Sequence, residues 1–283
     1  MSNYKIIATD LDGTLLNSTS DVSDENIRAI SELFRRGVHV VPASGRSYSE
    51  MPEKLKNNPH VRYYITSNGA SVYDKKSDTR TNFCMNNKSV KEILDVIKKY
   101  EVHITVRHNG RIYGDLNFQT EEHFNYYNVF HAHRVVIKNF CVMLDEFDEF
   151  CDILDNAEMI AIFFKNYDDW IECRKILEQN ESLHVTSGGE YNLEIIERSA
   201  GKGNALSFLA DMLGVDRSET IGVGDSNNDI SLVSTAGLGL ATSNACDLLK
   251  EAADKVICSN DEHVIERILL NCFKWDVKIR NYQ

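Results

Sequence analysis

The stretch Asp10-Leu11-Asp12-Gly13-Thr14-Leu15 comes directly after the apolar segment Tyr4–Thr9, which predicts a buried β-strand. In an open α/β sheet, ligands bind beyond the carboxyl ends of the strands, so both carboxylates arrive where chemistry is expected. Gly13 permits the sharp turn that follows. Two close carboxylates repel each other, and the pattern therefore indicates a divalent metal between them. A turn with two solvated acids is the competing interpretation of an isolated Asp-x-Asp.

A second acidic cluster, Gly224-Asp225-Ser226-Asn227-Asn228-Asp229, follows another apolar segment, Thr220–Val223. Asp225 and Asp229 are four residues apart, so they share a face if a helix starts here. Carboxylate oxygens suit magnesium, which is a hard cation. A capped turn is the alternative interpretation of this cluster when it is taken alone.

Two candidate phosphate ligands lie between the acidic clusters. Ser44-Gly45-Arg46 ends the predicted strand Val38–Ala43, where a hydroxyl and exposed backbone N–H groups can hold phosphate oxygens. Lys202 opens the predicted helix Lys202–Leu213 and supplies a positive charge. Each signal is weak alone, because a lysine between glycines is ordinarily a solvated side chain. The order of all four segments along the chain is what makes the pattern specific.

The fold class that we predict is α/β, with a Rossmann-like parallel sheet interrupted by an inserted α+β domain. Residues 1–82 and 190–283 alternate short apolar strands with helical patterns, whereas 83–189 read as helices and largely antiparallel strands. In the first part, a helix is expected over Asp24–Arg36, with Gly37 as its C-terminal stop.

The composition limits the possible partners. The chain has 283 residues, with 31 basic and 43 acidic side chains and a net charge of −12, so it lacks the basic footprint usual for nucleic-acid binding. An anionic substrate then needs a local positive charge, which a metal ion and Lys202 supply. No stretch approaches the ~20 apolar residues that cross a bilayer. The seven scattered cysteines form no CxxC pair, which favours reduced thiols in the cytoplasm. A monomer and a homodimer are both compatible with the sequence.

The four motifs resemble those of the haloacid dehalogenase (HAD) superfamily, and specifically its Cof-type phosphatases. They read here as Asp10–Thr14, Ser44–Arg46, Lys202 and Gly224–Asp229. Supporting similarities are Ser67-Asn68-Gly69-Ala70, Leu193-Glu194-Ile195 before the lysine, and Ala236-Gly237 with Asn244-Ala245. The inserted domain occupies the place of the cap in Cof-type proteins. Ser44 stands where threonine is commoner, which removes no group that the chemistry requires.

The resemblance implies a role for each motif residue. Asp10 would be the nucleophile and Asp12 the general acid and base. Mg²⁺ would be bound by Asp10, the Asp12 backbone carbonyl and Asp225, with Asp229 supporting the metal or the lysine. The groups expected to hold the phosphoryl group are those of Ser44, Gly45, Arg46, Lys202 and Asn228.

The activity expected from this resemblance is hydrolysis of a small phosphorylated metabolite, such as a sugar phosphate or a phosphorylated cofactor. A phosphomutase of the same fold is an alternative. A non-catalytic metabolite-binding protein is a further one, although it predicts the loss of a key group, and Asp10, Asp12, Lys202 and Asp225 are all present.

Substrate choice is expected to depend on the cap. His131 and His133 are two residues apart, which places both imidazoles on one side only in a strand, and no third metal ligand is evident. A surface position or a substrate contact is therefore favoured over a metal site. Arg107, His108 and Tyr113 are further candidates for substrate contact.

Overall fold

The computed structural model describes residues 3–273, apart from the side chain of Ala132. In this range the strands are β1 (Ile6–Thr9), β2 (His39–Pro42), β3 (Tyr63–Thr66), β4 (Ser71–Asp74), β5 (Thr79–Asn82), β6 (Val102–His108), β7 (Arg111–Asp115), β8 (Cys141–Leu144), β9 (Met159–Phe164), β10 (Leu183–Thr186), β11 (Asn192–Glu197), β12 (Thr220–Gly224), β13 (Leu238–Ala241) and β14 (Lys255–Val256). The helices are α1 (Asp24–Arg35), α2 (Glu53–Lys56), α3 (Asn87–Ile97), α4 (Glu121–Tyr126), α5 (His131–Phe140), α6 (Phe147–Ile153), α7 (Tyr167–Leu177), α8 (Lys202–Leu213), α9 (Ile230–Thr235), α10 (Asp247–Ala252) and α11 (Val264–Cys272).

A parallel sheet of five strands forms the centre of the first domain, in the order β14-β13-β12-β1-β2. Ile6 of β1 pairs with Thr220 of β12 on one side and with His39 of β2 on the other. A parallel bridge between Ala43 and Ile65 continues this sheet to β3, which also forms an antiparallel sheet with β4 and β5. The central strands β1 and β12 are buried along their whole length because helices cover both faces.

Helices α1 and α11 pack on one face of the parallel sheet, and α8 and α9 pack on the other. The start of α1 is set by Ser23, whose Oγ accepts a hydrogen bond from the backbone N–H of Asn26 at 3.3 Å. Its end is followed by Gly37, which has the left-handed φ of +75°. The predicted helix and its glycine stop are therefore confirmed, with a difference of one residue at the C-terminal end.

The inserted domain is built on a second sheet of six strands, in the order β10-β11-β9-β6-β7-β8. Its pairs are antiparallel except for β7 with β8, which are parallel. Helices α3, α6 and α7 pack on one face, and α4 and α5 cover part of the other. The predicted fold class, a parallel-sheet core with an inserted α+β domain, is confirmed.

The C-terminal limit of the inserted domain differs from the sequence prediction. Residues 190–283 were assigned to the first domain, but β11 pairs with β9 and β10 in the second sheet. The inserted domain therefore continues through Glu197, and the chain returns to the first domain at Lys202. An apolar segment predicts a strand but not the sheet it joins, because tertiary contacts decide which strands pair.

Candidate active site

The predicted site residues meet at the carboxyl edge of the parallel sheet. Strand β1 is adjacent to both β2 and β12, so the residues after these three strands become neighbours. Asp10 follows β1 directly, Ser44 lies two residues beyond β2, and Asp225 follows β12. The backbone N–H of Asp10 donates to the Val223 carbonyl at 2.9 Å, which anchors the start of the first motif to β12.

The turn after Asp10 brings the first motif against the second acidic cluster. Gly13 has a φ of +80°, and a Cβ at this position would lie 2.4 Å from Asp225 Oδ2. Only glycine allows this approach, both for its backbone conformation and for the space it leaves. Thr14 Oγ1 then donates to Asp225 Oδ1 at 3.1 Å. The sequence Asp-x-Asp-Gly-Thr thus positions Asp225 as well as its own carboxylates.

Lys202 lies between two carboxylates and is almost completely buried. Its Nζ donates to Asp10 Oδ1 at 2.7 Å and to Asp229 Oδ1 at 2.6 Å. Asp229 Oδ2 accepts the backbone N–H groups of Asp225 and Ser226, each at 3.1 Å. Asp229 therefore orients both the lysine and the loop that carries Asp225.

The carboxylates of this cluster outnumber its cation. Asp10, Asp225 and Asp229 each place an oxygen within 4.8 Å of the others, and Lys202 is the ammonium among them. Burial raises the pKa of Asp10 well above its usual range, and it raises the pKa of Asp225 to about 6, with the charge of Asp229 adding to both effects. Burial opposes the charge of Lys202, but Asp10 and Asp229 together raise the pKa of its ammonium.

This donor set fits a divalent cation. Carboxylate oxygens are the ligands that Mg²⁺ prefers, and a cation beside them favours their ionised forms. Asp10 and Asp225 are better placed as direct ligands than Asp229, because both oxygens of Asp229 already accept hydrogen bonds. The residues present therefore suit the magnesium that the sequence motifs imply.

Asp12 points away from this cluster. Its Oδ2 accepts from Arg46 Nε at 2.9 Å and its Oδ1 from Arg46 Nη2 at 2.6 Å, which is a bidentate ion pair. The Asp12 side chain is about half exposed, at 55 %. Arg46, which was predicted to bind the phosphoryl group, therefore binds the Asp12 carboxylate in this structure.

The other predicted phosphate ligands surround the same space. Ser44 Oγ accepts from the backbone N–H of Arg46 at 3.2 Å, and Asn228 Nδ2 donates to Asn68 Oδ1 at 3.3 Å. Asn68 is an additional residue at this site that was not among the predicted ligands. The only sequence signal for it was the Ser67–Ala70 motif.

A cavity of about 390 Å³ lies over these residues and extends into the inserted domain. This volume is in the range of small-molecule sites. The first domain contributes Asp10, Asp12, Ser44, Gly45, Arg46, Glu50, Ser226 and Asn228, and the inserted domain contributes Arg107, Phe130, His133, Val136, Gly188 and Glu194.

Of the cap residues suggested from the sequence, Arg107 and His133 line this cavity and His108 and Tyr113 do not. The rings of His108 and Tyr113 instead lie against Phe150. The strand alternation explains the difference between Arg107 and His108, because successive side chains point to opposite faces of a sheet. Glu50, Glu194 and Phe130 were missed, since their place at the cavity depends on how the two domains meet.

Comparisons with known proteins identify the family. The family model of haloacid dehalogenase-like hydrolases matches residues 7–269. The chain belongs to this family. The phosphatase YwpJ of Bacillus subtilis is 31% identical, over 94% of this chain and 98% of that protein. The 5-amino-6-(5-phospho-D-ribitylamino)uracil phosphatase YcsE of the same organism is 26% identical, over 94% and 95%.

Solved structures agree with this assignment. A haloacid dehalogenase-like hydrolase from B. subtilis superposes with a TM-score of 0.80 at 29% identity, covering 94% of this chain and 98% of that one. The protein is thus a Cof-type phosphatase of the HAD superfamily, as its motifs predicted. Among residues 3–273, no helix has the length and apolar composition needed to cross a membrane.

Proposed function

We propose that this HAD phosphatase is a cytoplasmic, Mg²⁺-dependent enzyme that hydrolyses a small phosphorylated metabolite through an aspartyl phosphate on Asp10. The observation that carries this proposal is the position of Asp10. It lies on the floor of a 390 Å³ cavity, 2.7 Å from a buried lysine and within 4.8 Å of two further carboxylates. None of the seven cysteines is in a disulfide within the described chain, which is compatible with a reducing compartment.

The metal would be held by the carboxylates of Asp10 and Asp225 and, as the resemblance implies, by the Asp12 backbone carbonyl. When bound, Mg²⁺ would neutralise charge on the phosphoryl oxygens. Lys202 adds a fixed positive charge beside Asp10 and holds its Oδ1. This arrangement lets an acidic protein accept an anionic substrate at one point.

Asp10 would attack phosphorus in line with the leaving oxygen, and its carboxylate would become a mixed anhydride with phosphate. The backbone N–H of Gly45, the Ser44 hydroxyl and the Asn228 amide would orient the phosphoryl oxygens during the transfer. These groups lie around the cavity floor.

Asp12 would protonate the leaving alcohol and then take a proton from the water that hydrolyses the aspartyl phosphate. Its bidentate pair with Arg46 keeps its carboxylate at the cavity edge. One of these two hydrogen bonds must open before Asp12 can transfer a proton. Arg46 can then bind a phosphoryl oxygen, since a guanidinium matches phosphate as well as carboxylate.

The cavity size supports a sugar phosphate or a phosphorylated cofactor as substrate. The relative YcsE is named for action on a phosphorylated ribityl compound, and a substrate of this kind suits a cavity of about 390 Å³. The phosphoryl transfer to Asp10 requires only that the alcohol can leave, so it does not restrict the rest of the substrate.

The test is phosphate release from a panel of phosphorylated metabolites and p-nitrophenyl phosphate, with Mg²⁺ and with chelator. We expect release that needs Mg²⁺, that Asp10→Asn abolishes and that the exposed control Asp211→Asn retains. Appreciable turnover by a folded Asp10→Asn protein would refute the nucleophile assignment. A sugar 1-phosphate that is converted to its 6-phosphate without free phosphate would show a mutase, and Mg²⁺ binding without any turnover would show a binding protein.

A further inference from the structure

The cavity over Asp10 has two chemically different ends. The floor belongs to the first domain and carries the groups for phosphoryl transfer. The opposite wall is formed by Phe130, His133 and Val136 around α5, by Arg107 of β6 and by Glu194 of β11. A phosphate ester bound at Asp10 would place its leaving group against this wall.

Glu194 gives the wall a carboxylate. Its Oε2 accepts from Asn68 Nδ2 at 2.7 Å, whereas its Oε1 receives no hydrogen bond from the described part of the chain. A Cβ added at Gly188, which also lines the cavity, would lie 3.3 Å from that oxygen. The absence of a side chain at Gly188 therefore keeps Oε1 open towards the cavity.

Arg107 offsets this charge only in part, because its direct ion-pair partner is Glu50, while Glu194 acts on the guanidinium without a hydrogen bond to it. Arg107 Nε and Nη2 donate to the two oxygens of Glu50, both at 3.0 Å, and the two residues are only 3% and 1% exposed. The pair is rigid and adds no net charge to the wall. Arg107 Nη1 has no hydrogen-bond partner within residues 3–273. It is a buried donor for which a hydroxyl or carbonyl oxygen would be a suitable acceptor.

His133 is a neutral part of the same wall. Its Nε2 lies 3.2 Å from Thr105 Oγ1, and burial, together with the positive charge of Arg107, holds the pKa of the imidazole well below its usual range. The ring therefore contributes a polar edge without a charge. With Arg107 and Glu50 balanced, Glu194 leaves the wall with a net negative charge.

We infer that Glu194, His133 and the Arg107–Glu50 pair form the leaving-group subsite, and that it selects monophosphate esters whose leaving group is uncharged and donates hydrogen bonds. Hydroxyl and amine groups can donate to Glu194, whereas a carboxylate or a second phosphate at that position is repelled. This inference rests on the proposed phosphatase function and names the substrate class for it.

The test compares two substrates that differ at one end only. Sorbitol 6-phosphate and 6-phosphogluconate have the same carbon chain and the same phosphate, but the first ends in a hydroxymethyl group and the second in a carboxylate. With the wild-type enzyme and Mg²⁺, we expect kcat/KM to be higher for sorbitol 6-phosphate by about tenfold or more. Equal values, or a preference for 6-phosphogluconate, would overturn the inference while leaving the phosphatase function intact.

Variants then test whether Glu194 and His133 cause the preference for sorbitol 6-phosphate. Glu194→Gln keeps an oxygen for Asn68 and removes the charge, so the ratio of the two kcat/KM values should fall to within about threefold. Glu190→Gln, at an exposed glutamate in the turn just before β11, should retain the wild-type ratio. His133→Ala should lower kcat/KM for sorbitol 6-phosphate, whereas His131→Ala, at an exposed position of α5, should not.

The outcomes separate the two proposals. An unchanged ratio in a folded Glu194→Gln protein, checked by circular dichroism, would refute the role of Glu194. If that variant does not fold, the wild-type comparison still decides the preference. Absence of Mg²⁺-dependent release from both sugar esters and from p-nitrophenyl phosphate would instead overturn the proposed function, and with it this inference.

Discussion

Two buried charge clusters in this protein look alike but are built on opposite principles. In the first domain, Lys202 contacts Asp10 and Asp229, and Asp225 is a third carboxylate nearby, so negative charge is in excess. Where the domains meet, Arg107 and Glu50 form a bidentate pair of equal and opposite charges. The residues of both clusters are buried except Asp225, which is partly exposed.

The difference indicates which cluster does chemistry. Charges of one sign in excess cost free energy in a buried site unless a ligand supplies the missing charge, so the first cluster is suited to bind a cation and a phosphate. A balanced pair needs no ligand, because its two charges neutralise each other and its members hydrogen-bond to each other. The Arg107–Glu50 pair therefore positions the wall of the cavity instead of reacting.

Replacement of Lys202, which is the ammonium of the unbalanced cluster, should have the largest effect on activity. Lys202→Met leaves the carboxylates of Asp10, Asp225 and Asp229 without an ammonium, so we expect phosphate release to fall about 10²–10³-fold. In chelator, the free energy of unfolding should fall by about 3–5 kcal/mol. Activity assays and urea denaturation measure both effects, with the exposed Lys88→Met as control. Activity within tenfold of the wild type would contradict the role of Lys202.

Breaking the balanced pair should reduce stability. Glu50→Gln leaves the Arg107 guanidinium buried without its carboxylate, and urea denaturation should show a loss of about 3–5 kcal/mol. The double variant Glu50→Leu with Arg107→Met should recover much of this loss, because it leaves no unpaired charge. A double variant less stable than Glu50→Gln would show that the pair contributes through more than its charges.

Magnesium should bind to the cluster with excess negative charge and not to the Arg107–Glu50 pair, and its binding should raise the stability of the protein. At about 100 times its dissociation constant, a ligand specific for the native state adds about 2.7 kcal/mol of stability, which we expect as a rise of several degrees in Tm. Asp225→Asn should abolish this rise, and the exposed control Asp247→Asn should retain it. Thermal unfolding with Mg²⁺ and with chelator measures the shift. A full magnesium shift in Asp225→Asn would place the metal elsewhere.

The smallest effect on stability is expected for the partly exposed pair of Asp12 and Arg46. Arg46→Met should change the free energy of unfolding by about 1 kcal/mol or less, because water screens this pair. The variant should still slow phosphate release, since Asp12 loses the group that orients it. Urea denaturation beside the activity assay separates these effects, and a loss of several kcal/mol would mean that the pair supports the fold.

The sequence by itself determined the parallel sheet and which motif residues meet at its carboxyl edge. Asp10, Ser44 and Asp225 each follow an apolar strand, and the carboxyl ends of parallel strands share one edge. Local signals were sufficient there because each motif needs only its own strand and turn, as the φ of +80° at Gly13 illustrates. Lys202 was found as the start of a helix, although its burial between two carboxylates was not visible from the sequence.

Only the tertiary structure decided the opposite wall of the cavity. The strand Asn192–Glu197 could have joined either sheet, and its pairing with β9 is what turns Glu194 towards Asp10. Glu50 and Arg107 are 57 residues apart and meet across the two domains. Such contacts leave no local pattern in the sequence, because the packing of whole domains determines which residues meet. The chemistry of this enzyme is therefore readable from short motifs, while the shape and charge of its leaving-group subsite are not.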